Sequence, residues 1–219
     1  MNSVIITGAN RGIGLALATQ LSVDHTVYAL CRTSSNELQT LKNTHIIKNV
    51  DVSCTASIHS ASKKIEGPVH GLINNAGILN KVSIESLNES ELNHHWNINA
   101  MGPLRVFTAF QNHLVSGSKL LFITSRMGSI TDNTSGSHYA YRMSKAALNM
   151  AAKSLSIDLK PQNISVGIVH PGWVKTDMTS HTGHCSTHES AQNIINRLHA
   201  LNLSNTGTFW HANGNVLEW

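Results

Sequence analysis

The chain is expected to fold as an α/β protein with a doubly wound parallel sheet, three layers deep, formed as a single domain over residues 1–219. Two observations predict this. Short apolar, β-branched runs alternate with longer amphipathic segments from end to end, and no linker, repeat or low-complexity tract interrupts them. A glycine-rich turn follows the first apolar run directly. Connections of this length between apolar runs imply parallel strands joined by right-handed crossovers, which put helices on both faces of the sheet.

The buried strands are expected at residues 4–6, 27–30, 46–50, 69–73, 120–123 and 164–169, with a last strand at 207–211. Helical periodicity marks residues 13–21, 89–114, 139–159 and 189–201, and more briefly 37–41 and 56–65. Residues 179–187 are polar and aperiodic, which reads as a mobile loop. With 219 residues, 41% of them hydrophobic, the chain can bury roughly 70% of the surface its unfolded form exposes.

Composition narrows the function classes. No apolar run approaches the ~18 residues that cross a bilayer, so no membrane role is expected. The first apolar run leads straight into the glycine turn, where a cleaved leader would remove it, and this predicts a cytoplasmic protein. The cysteines, Cys31, Cys54 and Cys185, are odd in number and far apart, as reduced thiols in packing positions would be. A net charge of +4 comes from scattered basic residues, which argues against nucleic acid as a partner and suits a small phosphate-bearing ligand.

The turn runs Thr7-Gly8-Ala9-Asn10-Arg11-Gly12-Ile13-Gly14. Between a strand and a helix, Gly8 permits the tight bend, Gly12 lets main chain approach a pyrophosphate, and Gly14 lets helix and strand pack closely. Further on, Tyr141 and Lys145 stand four apart in a helical segment and so share a face. An ammonium beside a phenol favours the ionised phenol, which would bring a tyrosine titrating near ~10 toward working pH as a general acid.

Taken in order, Thr-Gly-x-x-x-Gly-x-Gly, Asn74-Asn75-Ala76-Gly77, Asn99 in Trp-Asn-Ile-Asn-Ala, Ser125, the Tyr141/Lys145 pair and Pro171-Gly172 resemble the short-chain dehydrogenase/reductase family over essentially the whole chain. Tyr-Arg-Met-Ser-Lys-Ala-Ala-Leu-Asn-Met, His-Pro-Gly-Trp-Val-Lys-Thr-Asp-Met and the short carboxyl end are most similar to the branch of C-factor and sniffer-type carbonyl reductases. The resemblance implies a Rossmann-type fold and four catalytic residues. Tyr141 exchanges the proton, Lys145 lowers its pKa and holds the nicotinamide ribose, Ser125 binds the substrate oxygen, and Asn99 kinks its helix and positions a water. Tyr139 lacks a lysine four residues on and is assigned to packing or pocket lining, while Thr124 yields to Ser125 as the second member of its pair.

The same resemblance places Gly8, Asn10, Arg11, Gly12, Ile13 and Gly14 on the dinucleotide, Asp51 and Val52 at the adenine, and Asn75, Ala76 and Gly77 along the adenosine side. Tyr141, Lys145, Pro171, Gly172, Val174 and Thr176 fall around the nicotinamide. An acidic residue ends the second strand in NAD-preferring relatives; here Leu30-Cys31-Arg32 stands instead, so Arg32 with Arg11 could pair a 2′-phosphate, which makes NADP(H) the expected cofactor over NAD. The spacing of His181, His184, Cys185 and His188 could ligate zinc on paper, but hydride transfer in this family needs no metal and none is assigned. Trp173 walls the substrate pocket or packs. Met143, Ala147, Met150 and Ala151 form an apolar stripe suited to core or to the interface of a homodimer or homotetramer. The expected function is carbonyl reduction with NADPH on an aldehyde or ketone of moderate size; an alcohol dehydrogenase working oxidatively and a nucleotide-binding signalling protein of C-factor type remain as alternatives.

Overall fold

The computed structural model describes residues 2–219, and one seven-stranded, wholly parallel sheet in the order β3-β2-β1-β4-β5-β6-β7 organises them. The strands are β1 (Ser3–Thr7), β2 (Thr26–Leu30), β3 (Thr44–Ile47), β4 (Val69–Asn74), β5 (Leu114–Ile123), β6 (Ser165–His170) and β7 (Phe209–His211). Between them run α1 (Gly12–Leu21), α2 (Asn36–Gln39), α3 (Thr55–Ser62), α4 (Glu89–His95), α5 (Met101–Phe110), α6 (Tyr139–Asp158) and α7 (Thr187–Ala200).

Successive side chains of each strand go to opposite faces, and both faces are covered. Val4 and Ile6 of β1 join Leu17, Ala18 and Leu21 of α1 and Ile194 and Leu198 of α7 in one core. Ile5 between them joins Val106 and Phe110 of α5 and Leu148 and Ala152 of α6 in the other. Strands buried on both faces must be apolar throughout, which is why β1 and β6 carry the continuous signal that marks them in the sequence. Each fully buried large aliphatic side chain contributes about 1.5–3 kcal/mol.

Three expected boundaries differ. The third strand spans 44–47 rather than 46–50, because Asn49 adopts a left-handed conformation (φ 63°) and ends the extended run. The fifth starts at Leu114 rather than residue 120, its first half carrying exposed polar residues that give no apolar signal. The single helix expected over 89–114 is three pieces: α4, a π turn at Trp96–Ala100, and α5. Pro103 supplies the cause. Having no N–H, it cannot donate to the carbonyl of Asn99, and its ring crowds that oxygen; the chain widens, with Met101 N–H donating to Trp96 O.

Strand order reverses between β1 and β4, so their carboxyl ends flank the crevice where a ligand belongs in such sheets. Thr7 closes the bottom of that crevice: its hydroxyl accepts the amides of Asn75 and Ala76, each at 3.0 Å, while Asn75 Nδ2 donates to Thr7 O at 2.9 Å. Above it α1 sits so close to β1 that a Cβ on Gly14 would stand 2.1 Å from Gly8 O and 2.6 Å from Asn75 Nδ2. Gly14→Ala is therefore expected to cost about 1–3 kcal/mol in urea unfolding, an overpacking penalty, and to weaken dinucleotide binding with it.

Candidate active site

A cavity of about 740 Å³ opens at this crevice. Gly8, Asn10, Arg11, Gly12, Ile13, Gly14, Arg32, Asp51, Val52, Asn75, Ala76 and Gly77 line it, together with Tyr141, Lys145, Pro171 and Thr176, so the structure gathers nearly all the residues expected to hold a dinucleotide. The amino end of α1 faces it without a side-chain cap and without an acidic residue in its first turn, which leaves the first amides and the positive end of the helix available to a pyrophosphate. Gly8 and Gly12 both have positive φ (67° and 55°), and a Cβ on Gly8 would press Ala76 at 3.1 Å. A dinucleotide fits this donor set and this bare glycine surface.

Two expected nucleotide contacts lie elsewhere. Gly172 turns its missing side chain toward Cys185 Sγ, 3.4 Å from where a Cβ would be, and Val174 is 2% exposed and bridged to Cys185. Both shape the wall from behind. The segment they anchor was expected to be a mobile loop, but hydrogen bonds hold it throughout: Lys175 N–H to Cys185 O, Trp173 Nε1–H to Thr182 O, and Thr179 Oγ1–H to Val174 O. Trp173 is thus tied to this strap instead of lining the cavity, whereas Met178, His181 and His188 of the strap, which carried no nucleotide signal in the sequence, do line it.

Both arginines expected at the dinucleotide line the cavity, and each has an acidic neighbour. Arg11 is engaged by Asp177 of the strap, Nη1 to Oδ2 at 2.9 Å, and Asp177 Oδ1 meets His181 Nε2 at 3.1 Å. Arg32 stands beside Asp51, whose carboxyl is held below its usual value first by hydrogen bonds from the Ser53 hydroxyl and amide, and further by Arg32. His181 pairs with Asp177 and Cys185 faces Trp173 O, and among the described residues no three His, Cys, Asp or Glu converge on one point.

Away from the glycine turn, α6 buries the Tyr141 and Lys145 side chains against the carboxyl ends of β4 and β5, leaving 7% and 4% exposure. The Lys145 ammonium donates to Ile123 O at 2.9 Å and lies 5.7 Å from the centre of the Tyr141 ring. Burial dominates both titrations. It pushes the phenol up to about 12, against a lowering by the Ser125 hydrogen bond, and pulls the ammonium down to about 8. The net shift of Tyr141 is therefore upward, not toward working pH as expected, since exclusion of water disfavours the phenolate more than Ser125 favours it.

Ser125 and Asn99 stand just behind the lining. Thr124 gives its hydroxyl to Asn149 Oδ1 at 2.7 Å, which leaves Ser125 as the member of the pair directed at Tyr141. Asn99 is fully buried; its Oδ1 accepts Ile78 N–H at 2.9 Å and its Nδ2 donates to Ile78 O and to Ser144 Oγ. A Cβ on Gly77 would lie 3.1 Å from Asn99 Oδ1 and 3.7 Å from Lys145 Nζ, so the absence of a side chain there keeps the lysine open to the cavity. Met143 and Met150 of the α6 stripe are 56% and 68% exposed, which excludes the core for them. No helix among the described residues is long and apolar enough to cross a membrane.

Known proteins match the whole arrangement. The family model for short chain dehydrogenases matches residues 2–186. The C-signal protein of Myxococcus xanthus is 39% identical over 162 residues, covering 73% of this chain and 98% of its own length. The 1-hydroxy-2-glutathionyl-2-methyl-3-butene dehydrogenase of a Rhodococcus species is 31% identical over the full length of both chains. Among solved structures, the carbonyl reductase Sniffer of D. melanogaster superposes with a TM-score of 0.93 at 31% identity over all of both chains, and the NADPH-bound carbonyl reductase from chicken fatty liver with 0.92 at 30%, over 100% and 99%. The chain belongs to the short-chain dehydrogenase/reductase family of oxidoreductases, and its neighbours are those of the C-factor and sniffer branch.

The lowered Lys145 has a measurable consequence. Its folded-state value of about 8 lies below the ordinary 10.5, so between these the unfolded chain holds the extra proton and stability rises with pH. From pH 8 to 10, before Tyr141 begins to oppose it, this amounts to about 2 kcal/mol, so the urea-unfolding free energy of wild type minus that of Lys145→Met should rise by that amount over the same window.

Proposed function

We propose that the protein is an NADPH-dependent carbonyl reductase in which Tyr141 supplies the proton. The observation that carries this is the buried Tyr141–Lys145 pair, with Ser125 beside the phenol, at one end of a glycine-turn cavity that suits a dinucleotide. NADPH, when bound, supplies the hydride to the carbonyl carbon. As charge builds on the carbonyl oxygen, the Ser125 hydroxyl and the Tyr141 phenol are the fixed donors placed to receive it, and Tyr141 passes its proton to the nascent alkoxide. A phenol held at about 12 carries its proton throughout the neutral range, and an alkoxide is a far stronger base than a phenolate, so the transfer runs downhill. The Lys145 ammonium, protonated at neutral pH, then offsets the phenolate left behind. Asn99 holds the Ile78 segment and Ser144 in place, and the Asn99 carbonyl freed by Pro103 is a site for the water that returns a proton to Lys145.

The cofactor preference rests on Arg32 at the end of β2, where no carboxylate repels a 2′-phosphate, with Arg11 as second partner once it leaves Asp177. Titration of protein fluorescence should give Arg32→Gln at least about tenfold weaker NADPH binding with NADH little changed. In the same assay Asp177→Asn, which frees Arg11 from an exposed pair, is expected to tighten NADPH by about two- to fivefold.

A signalling role has the C-signal likeness in its favour, and the exposed Met143–Met150 face of α6 suits association of two or four copies. Turnover separates the readings. Following NADPH absorbance over a panel of aldehydes, ketones, diketones and quinones, we expect Tyr141→Phe to lose about 10²-fold or more in kcat. Wild-type rates in that variant would exclude Tyr141 as the donor and favour nucleotide binding without catalysis.

A further inference from the structure

His95, the last residue of α4, has no exposed surface and no place in the mechanism above. Both ring nitrogens are spent on main chain. Nε2 accepts the amide of Asn80 at 3.0 Å, which puts the ring proton on Nδ1, and Nδ1 faces the carbonyl of Glu91 at 2.9 Å. Locked in this orientation, the imidazole meets the Tyr141 ring edge to face, the centroids 6.4 Å apart and the planes at 83°. The charged and titratable neighbours of this contact are Glu91, whose carboxylate is 3.6 Å from Nδ1, His94, and Lys145 over the tyrosine ring.

The position of His95 relative to Asn99 matters as much as the contact. His95 immediately precedes the π turn and Asn99 lies within it, and both side chains grip one short length of chain: Asn99 holds both the amide and the carbonyl of Ile78, and His95 holds the amide of Asn80. Ile78 lines the cavity beside Gly77. The same imidazole therefore ties the cavity wall at residues 78–80 to the ring of the proposed proton donor. A purely apolar residue could fill the space but would leave the Asn80 amide without its side-chain acceptor and this wall segment untied.

We infer that His95 is a positioning residue for Tyr141: by accepting the Asn80 amide and packing edge-on against the phenol ring, it fixes the donor hydroxyl relative to the wall against which the substrate carbonyl is held. The inference rests on Tyr141 being the proton donor. Displacing a donor by a fraction of its hydrogen-bond length lowers the chemical step more than it lowers binding.

The test compares His95→Phe, which keeps an aromatic ring but cannot accept the Asn80 amide, with His95→Gln, whose side-chain oxygen can, in the full chain with NADPH and the best carbonyl substrate of the panel. For His95→Phe we expect kcat to fall about 10- to 100-fold, with the NADPH dissociation constant within about threefold of wild type and a larger solvent deuterium isotope effect on kcat, because proton transfer has become slower. His95→Gln should recover most of the rate and restore the isotope effect. Full activity in His95→Phe, failure of His95→Gln to improve on it, or a loss expressed wholly in cofactor binding or KM would each overturn the assignment. Tyr141→Phe run alongside separates the two levels: if it retains wild-type kcat the donor assignment itself has failed, whereas an inactive Tyr141→Phe with an unimpaired His95→Phe removes only the positioning role.

Discussion

Helix α1 and strand β1 meet at Gly8 and Gly14 with no side chain between them, and the rest of the site follows from that contact. It aims the uncapped amino end of α1 across the crevice, and it lets Asn75 reach under the turn to the carbonyls of Thr7 and Gly8. Thr7 completes the joint from the other side by gathering the amides that begin the segment after β4. The two central strands are thereby locked at their carboxyl ends, where the strand order reverses, and the cavity inherits one rigid side. Any residue larger than glycine at position 14 would have to separate helix from strand, and the pyrophosphate cradle would open with them.

The opposite side depends on exclusion of water. Helix α6 is long enough to carry Tyr141 and Lys145 on a face wholly covered by the sheet ends and the π turn, and covering them moves both titrations the same way: each group is held in its uncharged form more firmly than in water. For a proton donor that is an advantage in the reductive direction, since the phenol arrives loaded. The oxidative direction needs the phenolate, which must form against burial with only Lys145 and Ser125 to stabilise it.

Most of this was legible in the amino-acid sequence, and the reasons are local. β1, β4 and β6 are apolar on both faces and short, and the glycine turn lies between an unmistakable strand and helix. The four residues Asn99, Ser125, Tyr141 and Lys145 sit in recognisable short motifs at the carboxyl ends of the central strands and on the helices beside them. What escaped was of two kinds. Some signals were present but outweighed: Pro103 interrupts the helical hydrogen-bond ladder inside an otherwise continuous amphipathic pattern, and the polar start of β5 masks a strand that pairs through its main chain. Others have no local trace. The Arg11–Asp177 pair joins residues 166 positions apart, His95 looks like one more histidine among 14, and the sign of the Tyr141 shift depends on how completely water is removed, which spacing along a helix does not encode.

The strap from Val174 to His188 closes over the cavity and also contributes Asp177 to the glycine turn. The shape of the cavity wall and the charge beside the glycine turn are consequently written into one stretch of chain. An exchange that reshapes the strap around Asp177 also resets the charge facing Arg11, so the two cannot be altered independently there.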